Sequence, residues 1–217
     1  MKKRKIINIL NDLSASEWIP ETISVWSQKG LGSKHPDTKI EKEHPAPFSF
    51  TDVSRLIRFF TKKGHTVLDP FVGIGSTLKA CVLEGRKGIG IELNPKFVRL
   101  KKKRLNEEIK KKNKDQIIIK GDCRVELKKL SKNSVDLIAT SPPYWNILDK
   151  VDHKVKQERI SKNLLKNYQN LKNDISNIKD YEKFLDELKT IFKEGYRVLK
   201  NKKYLCIIVS DFRHKSK

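Results

Sequence analysis

The chain has 217 residues, enough for one domain with a substantial core but short for two independent domains. Its 48 Lys and Arg residues against 26 Asp and Glu residues give a formal net charge of +22. This excess excludes an acidic, disordered protein and favours a polyanionic partner, although a genome-wide preference for Lys, Asn and Ile would produce the same excess.

The first 47 residues are predicted to form an N-terminal extension that ends in a surface loop. His-Pro pairs at residues 35–36 and 44–45 lie in a stretch that also contains Gly and Ser. Prolines at this density disfavour a helix. Residues 48–217 are predicted to form one domain, in which the polar segment 146–179 is an insertion with the pattern of a loop or loose helix.

From Thr51 onwards, helical patterns and short apolar runs alternate. An amphipathic helix is predicted from Val53 to Phe60, because apolar residues recur there at helical spacing. Gly85 closes the next helix, and a third begins at Pro95. The strands are predicted at residues 66–68, 88–92, 117–119, 135–139 and 204–209.

Two further helical features complete the pattern. Asn94 is predicted to cap the helix that begins at Pro95, and the Lys/Arg run 101–104 at its end is predicted to be a solvated face. A long amphipathic helix is predicted from Tyr181 to Leu199. The alternation predicts an α/β fold with a doubly wound parallel sheet of strand order 3-2-1-4-5.

This strand order predicts where a ligand binds. Ligands of doubly wound sheets bind at the carboxyl ends of the strands, at the point where the strand order reverses. Strands one and four are neighbours at that point. The central prediction is therefore that segment 69–77 (DPFVGIGST) and segment 140–144 (TSPPY) form one site, although they lie far apart in the sequence.

The glycine-containing segment 69–77 allows a ligand to approach the backbone, because Gly73 and Gly75 have no Cβ. It lacks the GKS or GKT ending of a P-loop, and Leu78 replaces the third glycine of a dinucleotide-binding fingerprint. Asp69 suits a cationic or amine-bearing ligand better than a phosphate. Taken alone, the segment is equally consistent with a structural turn.

Acidic residues stand at the carboxyl ends of three of the predicted strands: Asp69, Glu92 and Asp122. A carboxylate at Glu92 suits a ribose diol, and one at Asp122 can accept a hydrogen bond from an exocyclic amine. Either residue alone has the alternative explanation of a cap or a solvated acid. Together, at one edge of the sheet, the three acids predict a ligand site.

The turn after the fourth strand is the most specific feature of the sequence. Pro142 and Pro143 stiffen the backbone and keep carbonyl groups out of a β ladder. Such a turn can accept hydrogen bonds from an amino group, and Tyr144 offers a face on which a planar base stacks. An ordinary Pro-Pro loop is the alternative.

These residues together resemble the S-adenosylmethionine-dependent DNA amino-methyltransferases, which methylate N4 of cytosine or N6 of adenine. Segment 69–77 resembles the cofactor loop of the family, and segment 140–144 resembles its catalytic motif. Segment 44–48 (HPAPF) is similar to an element near the methionine part of the cofactor. The resemblance covers residues 44–213 and implies a Rossmann-like class I methyltransferase fold.

The resemblance also implies residue roles. The cofactor S-adenosyl-L-methionine would be bound by residues of the loops and strand ends: His44, Pro45, Asp69, Phe71, Gly73, Gly75, Ser76, Thr77, Glu92 and Asp122. The catalytic residues would be Ser141, Pro142, Pro143 and Tyr144. Ser141 and the Pro142 carbonyl would hold the target amino group, Tyr144 would stack on the flipped base, and no metal is implied.

Ser141 favours N4 of cytosine, because Asp or Asn at this motif position is associated with N6 of adenine. The implied partner is DNA, in a restriction-modification setting. Three alternatives stay open: an N6-adenine enzyme, a relative that methylates RNA or a protein glutamine amide, and a catalytically silent DNA-binding or assembly subunit. The glutamine enzymes usually carry Asn where Ser141 stands.

The sequence departs from the family pattern in two respects. The stretch between Asp122 and Val135 leaves no room for a target-recognition domain, and the antiparallel hairpin that closes the family's sheet is missing. Residues 48–217 are therefore expected to be an incomplete methyltransferase catalytic domain. A longer chain, a separate specificity subunit, or segments 1–45 and 146–179 would supply the rest, and an open edge at strand five favours homo-oligomers.

Cysteine spacing and hydropathy complete the sequence-based expectations. Cys81, Cys123 and Cys206 form no CxxC pair, which argues against a disulfide framework and a structural zinc site. No apolar run approaches the roughly 18 residues of a membrane span. A soluble, reduced, cytoplasmic protein without a membrane partner is expected.

Overall fold

The computed structural model describes residues 8–27, 31–32, 34–44, 48–109, 115–145 and 171–209. The helices are α1 (Ala15–Trp18), α2 (Asp37–Lys42), α3 (Phe50–Phe60), α4 (Ser76–Glu84), α5 (Pro95–Ile109), α6 (Cys123–Lys129) and α7 (Tyr181–Val198). The strands are β1 (Thr66–Asp69), β2 (Lys87–Glu92), β3 (Gln116–Lys120), β4 (Val135–Thr140) and β5 (Leu199–Ile207). Short 3-10 turns lie at Ile19–Glu21 and Ile175–Asn177.

The described strands form one parallel sheet in the order β3-β2-β1-β4-β5. In the centre of the sheet, Leu68 of β1 lies opposite Ile89 of β2 on one side and Ile138 of β4 on the other. The strand order therefore reverses between β1 and β4. This confirms the predicted fold class, strand order and switch point.

Helices cover both faces of the sheet, and two neighbouring residues of β1 pack against different pairs of these helices. Val67 packs with Ile57 of α3 and Ala80 of α4, whereas Leu68 packs with Leu127 of α6 and Ile191 of α7. Because side chains alternate along a strand, successive residues enter opposite halves of the core. All of β4 is buried, as expected for a central strand covered on both faces.

Local capping explains where several helices begin and end. The side chain of Asn94 accepts a hydrogen bond from the Lys96 amide at 2.9 Å, and α5 begins at Pro95 as predicted. Gly75 precedes α4 with a φ of 88°, and Gly85 ends it with a φ of 70°. Only glycine adopts these left-handed angles without strain, so both positions fix the length of α4.

The prediction of a loop through the proline-containing stretch was wrong for residues 37–42, which form α2. Pro36 occupies the cap position, where its missing N–H group costs nothing, so it starts the helix instead of preventing it. A buried ion pair of 2.7 Å between Asp37 and Lys79 then attaches α2 to α4. Pro45 and residues 146–170 of the predicted insertion lie outside the described residues.

The predicted start of β5 was also wrong. Leu199 begins β5 instead of ending α7, and the strand ends at Ile207. The pairing with β4 is irregular, because Val135 lies opposite Leu199 while Leu137 lies opposite Tyr204. Residues 200–203 of β5 are polar and hid the beginning of the strand in the sequence. Helix α6 was not predicted.

The N-terminal segment packs against α3. The Asn11 side-chain amide donates a hydrogen bond to the Phe59 carbonyl, and the Trp18 ring lies 5.0 Å from the Phe59 ring. The guanidinium of Arg55 lies over the Trp26 ring at 4.0 Å. The described part of this segment therefore shares the packing of the domain. Within the described ranges, no helix has the length and apolar character needed to cross a membrane.

Candidate active site

A cleft lies at the carboxyl ends of β1 to β4. It encloses about 850 Å³, part of it open to solvent. Ten of the residues predicted for the site line it: His44, Phe71, Gly73, Ser76, Glu92, Asp122, Ser141, Pro142, Pro143 and Tyr144. The glycine loop and the Pro-Pro turn therefore meet at one place, as the strand order required.

The glycine loop has a tightly turned backbone. Gly73 has a φ of 52°, and the Gly75 amide donates a hydrogen bond to the Val72 carbonyl at 2.8 Å. A Cβ at Gly73 would lie 3.0 Å from Nε2 of His44, and the His44 ring itself packs on Phe97 with centroids 4.7 Å apart. The lack of a side chain at Gly73 lets His44 approach the loop.

Asp69, Gly75 and Thr77 lie beneath the cleft and do not line it. Asp69 is fully buried, and its carboxylate accepts hydrogen bonds from Thr77 Oγ1 at 2.5 Å and from Thr140 Oγ1 at 2.6 Å. Burial raises the pKa of Asp69, and these hydrogen bonds oppose that rise. Because Thr140 directly precedes the Pro-Pro turn, Asp69 joins the two halves of the cleft.

Two carboxylates stand at neighbouring strand ends in the cleft lining. Oε1 of Glu92 accepts a hydrogen bond from the Asn94 amide at 2.7 Å. Asp122 caps α6 and pairs with Arg124, whose Nη2 lies 2.6 Å from Oδ2. Burial raises the pKa of Glu92. Burial would also raise the pKa of Asp122, but Arg124 outweighs it and lowers that pKa below its ordinary value.

The Pro-Pro turn is fixed in position by Trp145, the residue that follows it. Pro142 is buried, whereas Ser141 and Tyr144 are partly exposed at the cleft. Trp145 donates a hydrogen bond from Nε1 to the Ile178 carbonyl at 2.7 Å, and its ring lies 4.9 Å from the Tyr181 ring. The turn is therefore fixed to the start of α7.

A further wall of the cleft was not predicted from the sequence. It consists of Asn173, Asp174 and Ile175, which follow the polar segment. Arg124 donates from Nη2 to the Asn173 carbonyl at 2.9 Å and from Nη1 to Glu187 at 3.0 Å. No motif marks these residues in the sequence, and only the folded chain brings them to the cleft.

The prediction that the run 101–104 is a solvated face was wrong for Lys101. Its side chain is fully buried, whereas that of Lys102 is exposed. Phe97 and Leu105, one turn before and one turn after it, are also buried. The spacing of four residues places Lys101 on the inward face of α5, a signal that was present in the sequence.

Within the described ranges, no three His, Cys, Asp or Glu side chains are placed to hold a metal ion together.

Comparisons with known proteins found matches over most of the chain. A family model described as DNA methylase matches residues 2–103 and 135–216. The chain is similar to type II methyltransferase M.BglI of Bacillus subtilis, with 36% identity over 110 residues that cover 51% of this chain and 30% of that protein. It is also similar to M.MthZI of Methanothermobacter thermautotrophicus, with 34% identity over 45% of this chain and 27% of that protein.

The matched segments thus span less than a third of the length of these two relatives. A solved structure, a putative S-adenosylmethionine-dependent methyltransferase from Methanococcus maripaludis, gives a TM-score of 0.47 at 18% identity and covers 84% of this chain and 66% of that one. The family match includes both motifs but omits residues 104–134, which carry Asp122. The position of Asp122 at the cleft therefore rests on the structure.

Proposed function

This chain belongs to the DNA methylase family, and from this premise we propose that it transfers a methyl group from S-adenosylmethionine to N4 of cytosine in DNA. Membership confirms the resemblance found in the sequence, and with it S-adenosylmethionine as the cofactor. The observation that carries the proposal is the meeting of the glycine loop and the turn 141–144 at one cleft.

The residues of the cleft fit this cofactor. A carboxylate offers about four acceptor positions, so Glu92 can bind ribose hydroxyls in addition to the Asn94 amide. Asp122, at the next strand end, suits the amino group of adenine.

The remaining cofactor contacts follow from the lining. We assign the methionine part to the glycine loop, through Phe71, Gly73 and Ser76, with His44 beside it. Asp69 and Thr77 support this loop from beneath instead of touching the ligand. Gly75 contributes its left-handed backbone.

The turn supplies what the acceptor amine needs. An exocyclic amine is a weak nucleophile because its lone pair is delocalised into the ring, while the cofactor presents an electrophilic methyl group on a sulfonium. Hydrogen bonds from the amine to Ser141 Oγ and to the Pro142 carbonyl favour a pyramidal nitrogen. The lone pair would then be free to take the methyl group that bound S-adenosylmethionine would supply, with the electron pair of the methyl–sulfur bond staying on sulfur and one amine proton passing to solvent.

The target base has to leave the duplex to reach this turn. Tyr144 lines the cleft and is partly exposed, so its ring is available as a stacking surface for a flipped base. Unpairing and unstacking cost about a few kcal/mol, which stacking on an aromatic ring offsets. The charge of +22 supports DNA as the substrate, because Lys and Arg residues that neutralise phosphates release counterions.

The choice of cytosine N4 rests on Ser141. Its hydroxyl both donates and accepts hydrogen bonds. The family includes enzymes for N4 of cytosine and enzymes for N6 of adenine, so the methylated base has to be identified directly. The association of this chain with a specificity subunit or a second copy through β5 stays a prediction.

The test is to methylate unmodified DNA with the purified protein, digest the DNA to nucleosides and identify the products by mass spectrometry. We expect N4-methylcytosine. N6-methyladenine would overturn the choice of base, and methyl groups found only in RNA or protein would overturn the DNA substrate. A folded protein that binds no S-adenosylmethionine in calorimetry would instead indicate a silent subunit.

A further inference from the structure

The buried lysine of α5 requires an explanation that the proposed chemistry does not supply. Lys101 is fully buried, and among the described residues its Nζ has no hydrogen-bond partner. Its stem packs against the glycine loop, since a Cβ at Gly75 would lie 2.7 Å from Cγ and 3.0 Å from Cδ of Lys101. Burying an unpaired ammonium costs several kcal/mol, so compensating charge has to be near.

That charge comes from the ends of β1 and β2. Asp69 and Glu92 both attract the Lys101 ammonium, while Lys102 on the solvent side of the same helix repels it. Burial nevertheless lowers the pKa of Lys101 to about 8. The attraction of the two carboxylates therefore opposes the loss of the ammonium charge that burial favours.

The same interactions act on Glu92 in the opposite direction. Burial raises the pKa of Glu92 and the negative charge of Asp69 raises it further, whereas the hydrogen bond from the Asn94 amide, the positive charge of Lys101 and the hydrogen bond from the Gly73 amide lower it. Two carboxylates that share an apolar site without a cation do not both stay ionised. If Lys101 were neutral, Glu92 would be the acid that takes up a proton, because Asp69 is held by two threonine hydroxyls.

We propose that Lys101 is a positioning residue whose buried ammonium keeps the Glu92 carboxylate ionised, so that Glu92 can accept hydrogen bonds from both ribose hydroxyls of the cofactor. The inference rests on the proposed function, which assigns the ribose to Glu92. A protonated Glu92 would lose acceptor capacity at the position where the ribose diol needs it.

The test uses the neutral variant Lys101→Met, which keeps the length of the stem beside Gly75, and the control Lys102→Met, which removes the same charge from the exposed side of α5. Binding of S-adenosylhomocysteine is measured by calorimetry from pH 5.5 to 8. This ligand has no sulfonium charge, so its affinity reports on Glu92. The wild type and Lys102→Met are expected to bind with little dependence on pH.

Lys101→Met is expected to bind more weakly at low pH and to approach the wild type as the pH rises. Below the raised pKa of Glu92, affinity should fall by up to about tenfold per pH unit, because only the ionised acid binds fully. The double variant Lys101→Met/Glu92→Gln should bind weakly at every pH, since its side chain at position 92 no longer titrates. Binding by folded Lys101→Met that equals the wild type at pH 5.5 would overturn the proposal.

A second measurement needs no variant at position 101. Carbon-13 NMR of wild-type protein labelled at glutamate carboxyls gives the ionisation state of Glu92, with Glu92→Gln identifying its signal by loss. We expect an ionised Glu92 at pH 6, and a protonated one would overturn the role of Lys101. If the wild type binds no S-adenosylhomocysteine while Glu92 is ionised, the proposed function fails and the electrostatic role of Lys101 stands.

Discussion

The two halves of the cleft are built differently. On the cofactor side, backbone groups of adjacent strand ends bind one another: the Val72 amide donates to the Ile91 carbonyl at 3.1 Å, and the Gly121 amide donates to the Glu92 carbonyl at 3.0 Å. On the target side, the turn is held by the side chain of Trp145.

The further wall of the cleft, residues 173–175, is likewise bound by a side chain, because Arg124 donates a hydrogen bond to the Asn173 carbonyl. The cofactor side is thus determined by short motifs and strand order, whereas the target side depends on side chains that cross between distant segments. Changes on the target side should therefore alter turnover while cofactor binding survives, and a change at their junction should affect both.

The largest expected effect is on the turn itself. Ser141→Ala removes an acceptor for the target amine, and Tyr144→Ala removes the stacking ring. Ser141→Ala should lower kcat by about 100-fold or more, the size seen when a positioned polar group is removed from an active site. Tyr144→Ala should lower turnover by about 5- to 150-fold, corresponding to the roughly 1–3 kcal/mol that stacking of a base on an aromatic ring supplies. The affinity for S-adenosylmethionine, measured by calorimetry, should stay unchanged.

Ser134→Ala is the matched control for these variants, because this serine lies before β4 and donates to the Ser131 carbonyl. It should retain full activity. Full activity in Ser141→Ala and Tyr144→Ala would show that the turn does not bind the target base.

The junction between the halves is Asp69. Asp69→Ala leaves the hydroxyls of Thr77 and Thr140 and the Phe71 amide without their acceptor. An unsatisfied buried polar group costs about 1–3 kcal/mol, so the free energy of unfolding in urea should fall by at least that amount. Both cofactor affinity and turnover should fall.

Asp186→Ala, on the exposed face of α7, should leave all three quantities unchanged. If Asp69→Ala impaired only one half of the cleft, Asp69 would not join them.

A smaller effect is expected behind the turn. Trp145→Phe keeps an aromatic ring against Tyr181 but removes the hydrogen bond to Ile178. One such bond contributes about 0.5–1.5 kcal/mol, so kcat/KM for DNA should fall by about 3- to 10-fold.

Trp18→Phe, which changes a ring that packs on Phe59 of α3, is the control. An equal loss of S-adenosylmethionine affinity in Trp145→Phe would contradict the separation of the two halves.

The smallest effect concerns pH. Arg124 lowers the pKa of Asp122 in the folded state, so ionised Asp122 stabilises the fold above its unfolded pKa, and this stabilisation disappears as the pH falls through the folded pKa. Arg124→Gln should raise the folded pKa and therefore lower the thermal unfolding midpoint near neutral pH, and this difference from the wild type should vanish as the pH falls below the folded pKa of Asp122.

Partial exposure of this ion pair keeps the effect small. Arg99→Gln, an exposed arginine of α5, should follow the wild type. A parallel shift at all pH values would indicate lost packing instead of lost charge.

Much of the cofactor side could be predicted from the sequence, because its signals are local. The glycines at 73, 75 and 85 and the apolar runs of β1 and β4 define backbone shape and burial within a few residues. The strand order then followed from the general rules of parallel sheets and brought the two motifs together.

The target side could not be predicted to the same extent. Asn173 lines the cleft, and Arg124 binds its carbonyl, which is a contact between segments that carry no shared pattern. Lys101 differs, since its spacing from Phe97 and Leu105 already indicated the inward face of α5. The charged run around it suggested solvent, and the helical period was the stronger signal.

The most direct test of the account is a crystal structure of the protein with S-adenosylhomocysteine. We expect the ribose at Glu92, the adenine at Asp122 and the sulfur between the glycine loop and Pro142, facing the Pro-Pro turn. A ligand bound outside this cleft, or one whose sulfur faces away from Pro142, would contradict the claim that the two motifs form a single site for methyl transfer.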